Sequence, residues 1–176
     1  MPMPPFLADL RGRVGHAELL LPTVCALVFD SSGRLLLGRR ADTGTWALVG
    51  GLVEPGEQVA DAVVREVHEE TSLLVRPDRI TGVYTDAGIR YPNGDRVCYV
   101  VTVFRCTPLR GTPRVNDDES LAVAYFPLDD LPPLVPVHRQ RVQDATAGRS
   151  EAVFTPPRIL PPAPEAHLRD LQDPGA

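Results

Sequence analysis

Apolar residues along this chain follow two patterns, one helical and one extended. Between residues 58 and 72, valines recur every four positions at Val59, Val63 and Val67, which is the spacing of one face of an α-helix. Runs of β-branched and apolar residues predict strands at residues 23–29, 34–38, 46–50, 80–85, 97–106 and 121–126. Strands mixed with two or three helices predict an α/β fold in which helices cover both faces of a mixed central sheet, an α/β/α sandwich.

Turn residues suggest how some of these elements are connected. The segment Asp30-Ser-Ser-Gly33 lies between the first two predicted strands, so the sequence predicts a hairpin whose centre is buried on both faces. Composition also predicts a turn from Tyr91 to Asp95.

The two ends of the chain differ from its middle. Residues 5–18 predict a short helix and a loop, and a last helix is expected at residues 137–147. Prolines are dense from Thr155 onward, which predicts an extended or irregular tail. The expected organisation is an N-terminal helical extension (1–18), one domain (19–148) and a proline-rich tail (149–176).

Composition narrows the class of protein. A chain of 176 residues with 43% hydrophobic and 23% charged residues fits one soluble domain. The net charge of −5 argues against a nucleic-acid polymer as partner, because such footprints are usually basic. We find no apolar run of membrane-spanning length and no signal peptide, so we expect a cytoplasmic protein without a membrane partner. All 18 basic residues are arginine, which excludes a lysine-dependent mechanism.

Three glutamates stand on one face of the predicted helix. Glu66, Glu69 and Glu70 occupy positions i, i+3 and i+4, so their carboxylates lie within side-chain reach of one another. A run of glutamates on a helix is more often a solvated face. A cluster of carboxylate oxygens without histidine or thiolate ligands also suits a hard cation, Mg²⁺ or Mn²⁺, which completes its shell with phosphate oxygens.

The sequence around these glutamates favours the metal site. Residues 51–73, GLVEPGEQVADAVVREVHEETSL, resemble the Nudix box: glycine, five residues, Glu, seven residues, Arg-Glu, an aliphatic, any residue, Glu-Glu, any residue, glycine and an aliphatic. Only the second glycine differs, since Ser72 stands where the pattern has the residue that ends the helix in a left-handed conformation. The approach (Arg39-Arg40, Trp46, Gly50-Gly51) and later segments extend the resemblance to roughly residues 20–135.

The resemblance implies roles residue by residue. Glu66, Glu69 and Glu70 would bind the metal with the backbone carbonyl of Gly50. Arg65 would orient a glutamate of the cluster, and Glu57 would hold the preceding loop against the helix. Glu66 or Glu119 would accept the proton of the attacking water, although Glu119, beside Asp117 and Asp118, is equally explained as part of a surface acidic turn.

Fewer features suggest substrate contacts. Arg40, Trp46 and Tyr91 are candidate substrate-binding residues, although Trp46 is more often core packing and Tyr91 more often an exposed turn residue. A basic cluster at His138, Arg139 and Arg141 could contact phosphate, but a solvated helix face is favoured there.

The function implied is a Mg²⁺- or Mn²⁺-dependent hydrolase that cleaves the pyrophosphate of a nucleoside diphosphate joined to another group. ADP-ribose or a similar nucleotide sugar is the first candidate substrate. Two alternatives remain: a pyrophosphatase of normal or oxidised nucleoside triphosphates, and a catalytically silent nucleotide-sensing domain. A small nucleotide is the expected partner, and by analogy with relatives a homodimer is one assembly to test.

Overall fold

The structure, a computed structural model, describes residues 3–157. Its three helices are α1 (Pro5–Val14), α2 (Val59–Thr71) and α3 (Pro136–Thr146). The seven strands in that range are β1 (Glu18–Val28), β2 (Leu35–Arg40), β3 (Trp46–Ala47), β4 (Leu74–Arg90), β5 (Arg96–Arg110), β6 (Ser120–Phe126) and β7 (Val153–Phe154). The periodic valine segment and the turn at residues 91–95 are therefore where the sequence predicts them.

The strands form two sheets. One has the order β1-β5-β4-β7, with β1 parallel to β5, β4 antiparallel to β5 and β7 parallel to β4. The other has the order β3-β2-β6, and all its pairs are antiparallel. Isolated bridges join β1 to the segment after β3, at Ala26–Val49 and Thr23–Leu52, so this segment connects the two sheets.

Helices α2 and α3 cover opposite faces of the first sheet. Alternate β1 residues Val24, Ala26 and Val28 pack with Ala62, Val63 and Val67 of α2. The intervening residues Cys25, Leu27 and Phe29 share a second core cluster with Val142 and Ala145 of α3. Because side chains alternate along a strand, both faces of β1 are buried, and the predicted α/β/α sandwich with a mixed sheet is confirmed.

The predicted hairpin between the first two strands is wrong. β1 and β2 lie in different sheets and share only an isolated bridge between Phe29 and Leu35. The turn at residues 30–33 forms, with Asp30 accepting from the N–H groups of Ser32 and Arg34. Beyond it the strands diverge, because β1 buries its backbone against β5 and each strand is covered on both faces.

The N-terminal helix is fastened to the start of the first sheet. Arg11 donates hydrogen bonds to the carbonyl oxygens of Ala17 (2.6 Å) and Arg96 (2.9 Å) and lies 3.5 Å from the buried carboxylate of Asp95. The predicted tail contributes β7 to the sheet, and its residues 158–176 lie outside the described part of the chain. No helix among residues 3–157 is long and apolar enough to cross a membrane.

Candidate active site

The glutamate-bearing helix is placed by its apolar face and by its C-terminal cap. Val63 and Val67 are fully buried against the sheet, which leaves the glutamates on the side and toward the end of the helix. Ser72 ends α2 with φ 59° and ψ 10°, the left-handed conformation expected for the box glycine it replaces. Its N–H donates to the carbonyl of His68 at 2.9 Å, and Arg114 Nε donates to its Oγ at 3.1 Å.

Arg65 holds the loop before α2 to the helix. Its Nε and Nη2 donate to the two carboxylate oxygens of Glu57 at 2.9 and 3.0 Å, and Nη2 also donates to the carbonyl of Leu52 at 2.9 Å. Its Nη1 donates to Glu66 at 2.9 Å and to Glu69 at 3.1 Å. The structure therefore brings Glu57, Arg65, Glu66 and Glu69 together through one guanidinium group.

Gly51 approaches the carboxylate of Glu66 too closely for any side chain. A Cβ atom added to Gly51 would lie 2.5 Å from the carboxylate carbon and from both its oxygens. Glu66 is only 4% exposed, so its carboxylate is enclosed between Arg65 and the Gly50-Gly51 backbone. A glycine at this position is thus a requirement of close packing.

Glu70 points toward the same backbone segment. The N–H of Gly50 donates to Glu70 Oε1 at 3.1 Å, so this contact uses the Gly50 nitrogen and not the carbonyl expected to assist in metal binding. On the other side, a Cβ at Gly38 of β2 would lie 3.7 Å from Glu70 Oε2, an ordinary contact distance. The carboxylate of Glu70 therefore lies between the Gly50 backbone and β2, and the residue is half-buried.

The enclosure of two carboxylates makes their ionised forms costly. Burial raises the pKa of Glu66 to about 7, against the opposing effect of Arg65. Burial also raises the pKa of Glu70 to about 8, and the Gly50 hydrogen bond offsets it only in part. Glu69 is 55% exposed at the mouth of the cluster. Two desolvated carboxylates beside an accessible third one form a region that a cation would stabilise.

Glu119 lies on the loop before β6, facing this cluster. Asp117 Oδ1 accepts from the N–H groups of Glu119 (3.2 Å) and Ser120 (3.0 Å), which fixes the turn that carries Glu119. Burial raises the pKa of Glu119, and its charge contributes to the raised pKa values of Glu66 and Glu70. Glu119 is thus within electrostatic range of Glu66 and Glu70.

The three candidate substrate residues have different surroundings. Arg40 pairs with Asp42, and this hydrogen bond is the main cause of its raised pKa, with smaller contributions from Glu70 and Tyr91. Tyr91 is exposed, and its hydroxyl lies 2.8 Å from the hydroxyl of Tyr99. Trp46 packs edge-to-face on Phe126, with ring centroids 4.8 Å apart at 74°, as the core-packing alternative expects.

The interpretation of the last helix as a solvated basic face is wrong. Arg141 is 4% exposed, and its Nη2 contacts both carboxylate oxygens of Asp86 at 2.7 Å. His138 Nδ1 accepts the N–H of Leu48 at 3.2 Å, and burial lowers its pKa to about 4. Only Arg139 of the three is exposed. The sequence carries no local signal for these contacts, because their partners lie 55 and 90 residues away.

The arrangement offers oxygen ligands but not a closed ligand set. Within residues 3–157, no three His, Cys, Asp or Glu side chains converge on one point as a formed metal site. Arg65 holds Glu66 and Glu69, and the Gly50 N–H holds Glu70. The side-chain ligand atoms on offer are all carboxylate oxygens, which fits Mg²⁺ or Mn²⁺ better than a thiolate- or imidazole-seeking metal.

Comparison with known proteins identifies a family model, relatives and a solved structure that this chain resembles. A model of the NUDIX domain matches residues 19–145. A MutT-like protein from Streptomyces ambofaciens is 40% identical over 129 residues, 72% of this chain and 77% of that protein. An 8-oxo-dGDP phosphatase from Homo sapiens is 32% identical over 166 residues, 90% of this chain and 46% of that protein. The crystal structure of an ADP-ribose pyrophosphatase from Streptococcus suis aligns with a TM-score of 0.58 and 30% identity, over 74% of this chain and 93% of that one.

Proposed function

The chain belongs to the Nudix family, whose enzymes act on pyrophosphate bonds, and we propose that its substrate is ADP-ribose or a similar nucleotide sugar. The reaction would add water across the pyrophosphate, so that ADP-ribose gives AMP and ribose 5-phosphate. The observation that carries the catalytic part of this proposal is the pair of desolvated carboxylates, buried Glu66 and half-buried Glu70, which lie against the Gly50-Gly51 backbone. A desolvated pair of ionised carboxylates is costly unless a ligand or cation compensates its charge.

A divalent cation supplies that compensation. Nudix hydrolases generally use divalent metal ions. We assign Glu66, Glu69, Glu70 and the Gly50 carbonyl as the residues that would hold Mg²⁺ or Mn²⁺. When bound there, the cation supplies Lewis-acid neutralisation of the charge on the diphosphate oxygens, which this acidic protein otherwise lacks.

The neighbouring residues then have distinct tasks. Arg65 keeps Glu66 and Glu69 in place and, through Glu57, closes the loop over the N-terminal side of the helix. A water molecule attacks one phosphorus atom, the bond from that phosphorus to the bridging oxygen breaks, and a carboxylate accepts the water proton. Glu66 and Glu119 are the two candidates for that proton acceptor, since Glu66 belongs to the cluster and the charge of Glu119 acts on it.

Arg40, Tyr91 and Trp46 are the proposed substrate-binding residues. Arg40 lies within electrostatic range of Glu70 and Tyr91, so a phosphate beside the glutamates would be close to its guanidinium group. Tyr91 is exposed on the β4–β5 turn and could contact the nucleoside or the sugar. Trp46 is a weaker candidate because its ring is engaged with Phe126.

The second candidate substrate class is the oxidised nucleotides. The similarity to the 8-oxo-dGDP phosphatase extends over 90% of this chain, more than for the other two relatives reported above. The same carboxylate cluster would serve both reactions, so the identity of the substrate depends on the residues around Arg40, Tyr91 and α3.

A product assay separates the candidates. The purified protein is incubated with Mg²⁺ or Mn²⁺ and, separately, ADP-ribose, UDP-glucose, 8-oxo-dGDP, 8-oxo-dGTP and dGTP, and products are identified by chromatography. We expect AMP and ribose 5-phosphate from ADP-ribose at a kcat/KM at least about 10-fold above the other substrates, and none with EDTA. Higher turnover of an oxidised nucleotide would transfer the assignment to that class, and binding without turnover of any substrate would indicate a silent sensor.

A further inference from the structure

One histidine on α3 has a fixed tautomer that the catalytic proposal does not use. The backbone N–H of Leu48 donates to His138 Nδ1 at 3.2 Å. A backbone N–H can only donate, so Nδ1 carries a lone pair and the ring proton of the neutral imidazole is on Nε2. His138 therefore presents an uncharged N–H donor at Nε2.

This donor is accessible to solvent. Among the residues that the structure describes, none accepts a hydrogen bond from His138 Nε2, and no buried side-chain nitrogen or oxygen lacks a partner. The Nε2 atom therefore reaches the surface, although most of the ring is buried. A fixed ring with one accessible N–H is an aimed hydrogen-bond donor.

The backbone around Leu48 places this donor beside the glutamate cluster. The carbonyls of Val49 and Gly51 accept from Ala26 and Val24 of β1, so the N–H groups of Leu48 and Gly50 face the opposite way. The Leu48 N–H holds His138, and the Gly50 N–H holds Glu70. Two residues of extended chain separate these nitrogens by about 7 Å. N–H groups on one edge of this backbone segment thus donate to both His138 and Glu70.

We propose that His138 is a specificity-determining residue, whose Nε2–H donates to an oxygen of the pentose joined to the pyrophosphate. This inference rests on the proposed function for the position of the pyrophosphate at the glutamates. A pentose follows directly on the phosphate in a nucleotide sugar, and the backbone nitrogens that hold His138 and Glu70 lie two residues apart on the same edge. Because the donor is uncharged, it offers a short-range, directional hydrogen bond and not the long-range attraction of a cation to phosphate.

The surroundings of His138 keep this donor in place and uncharged. Arg141, one turn along α3, is buried and paired with Asp86 of β4, which fastens the helix to the sheet. Burial lowers the pKa of His138, helped by the charges of Arg141 and Arg40 and opposed by Asp86, so the protonated imidazole is disfavoured. His138 therefore offers the same single donor throughout the neutral pH range.

Two substitutions test the roles of the two ring nitrogens of His138 separately. In His138→Asn the amide oxygen replaces Nδ1 and can still accept the Leu48 N–H, but no donor reaches the position of Nε2. In His138→Gln the amide nitrogen can take the position of Nε2, whereas the Leu48 N–H loses its acceptor. Calorimetry with Ca²⁺ in place of Mg²⁺ measures the Kd of ADP-ribose and of inorganic pyrophosphate, which has no pentose, and a melting curve measures stability.

We expect His138→Asn to raise the Kd of ADP-ribose about 3- to 10-fold, the range for one uncharged hydrogen bond, with the Kd of pyrophosphate and the Tm unchanged. We expect His138→Gln to bind ADP-ribose nearly as wild type does and to melt several degrees lower. An ADP-ribose Kd within 2-fold of wild type in His138→Asn, an equal loss for both ligands, or no ADP-ribose binding by wild type would overturn the inference. Absence of hydrolysis by wild type with Mg²⁺, together with the expected Kd pattern, would count against the proposed catalysis alone.

Discussion

Adding one methyl group at Gly51 tests how tightly the carboxylate cluster is packed. In Gly51→Ala the new Cβ would lie 2.5 Å from the Glu66 carboxylate, so the carboxylate must move by about 1 Å to reach an ordinary contact distance. That movement breaks the 2.9 Å hydrogen bond from Arg65. Loss of a charge-assisted hydrogen bond in a buried site costs about 2 kcal/mol, which corresponds to a Tm lower by about 4–8 °C. Displacement of a catalytic group by this amount lowers kcat by about 100-fold.

Gly38→Ala is the matched control for this experiment. Its Cβ would lie 3.7 Å from the Glu70 carboxylate, so it adds the same methyl group beside the same cluster without a clash. Melting curves and hydrolysis of the substrate identified for wild type are measured for both variants. We expect Gly38→Ala to stay within about 1 kcal/mol and about 3-fold of wild type. If Gly51→Ala matched Gly38→Ala in both measurements, the close packing of Glu66 against Gly51 would be refuted.

Three further predictions concern a histidine, an arginine and the cation. Burial lowers the pKa of His138 to about 4 from 6.5, so the folded protein binds fewer protons than the unfolded chain below pH 6.5. Between pH 7 and pH 4 the free energy of unfolding should therefore fall by about 3 kcal/mol more in wild type than in His138→Asn, and parallel urea-denaturation profiles would contradict this. Arg65→Lys cannot reproduce the bidentate donation of the guanidinium group to Glu57 and should lower the free energy of unfolding by about 2 kcal/mol in urea denaturation. The control Arg34→Lys, at an exposed ion pair, should lower it by less than about 0.5 kcal/mol. Equal losses in the two variants would count against the role of Arg65 in holding the loop to the helix. Burial raises the pKa values of Glu66 and Glu70 to about 7 and about 8, so the folded protein binds their protons more tightly than the unfolded chain does. The contribution of these two groups to the free energy of unfolding is therefore lost as the pH rises from about 4.5 through those values. The Tm gain on adding Mg²⁺ should thus be larger at pH 8 than at pH 5, and a gain independent of pH would argue against cation binding at these glutamates.

The helix that carries the cluster could be predicted from sequence because its determinants are local. The four-residue spacing of Val59, Val63 and Val67 defines one buried face, and the structure places the helix within one residue of the predicted ends. The left-handed Ser72 follows from its position in the box pattern. The pairing of β1 could not be predicted in the same way, since an apolar run shows burial but not the identity of its neighbour, and β5 begins 68 residues after the end of β1.

Some features of the candidate site could likewise be predicted from local sequence, and others could not. Sequence spacing brings Glu66, Glu69 and Glu70 together because helix geometry fixes the distance between them. It does not show that Arg65 holds two of them, or that the Gly50 nitrogen contacts Glu70. The other features of the site depend on contacts between segments that are distant in the sequence. The hydrogen bond from Leu48 to His138 forms only when the segment after β3 packs beside α3.

A single pair of variants tests whether the three glutamates of α2 act as one cation-dependent centre. Steady-state hydrolysis is measured over a Mg²⁺ titration for Glu69→Gln and for Asp61→Asn, an exposed carboxylate on the same helix. The glutamine can still accept a hydrogen bond from Arg65, so the fold should be retained in both. We predict that Glu69→Gln loses at least about 100-fold in kcat, or about 3 kcal/mol of transition-state stabilisation, while Asp61→Asn stays within 2-fold of wild type. Full activity of Glu69→Gln at the same Mg²⁺ concentration would show that these glutamates do not act as one cation-dependent centre.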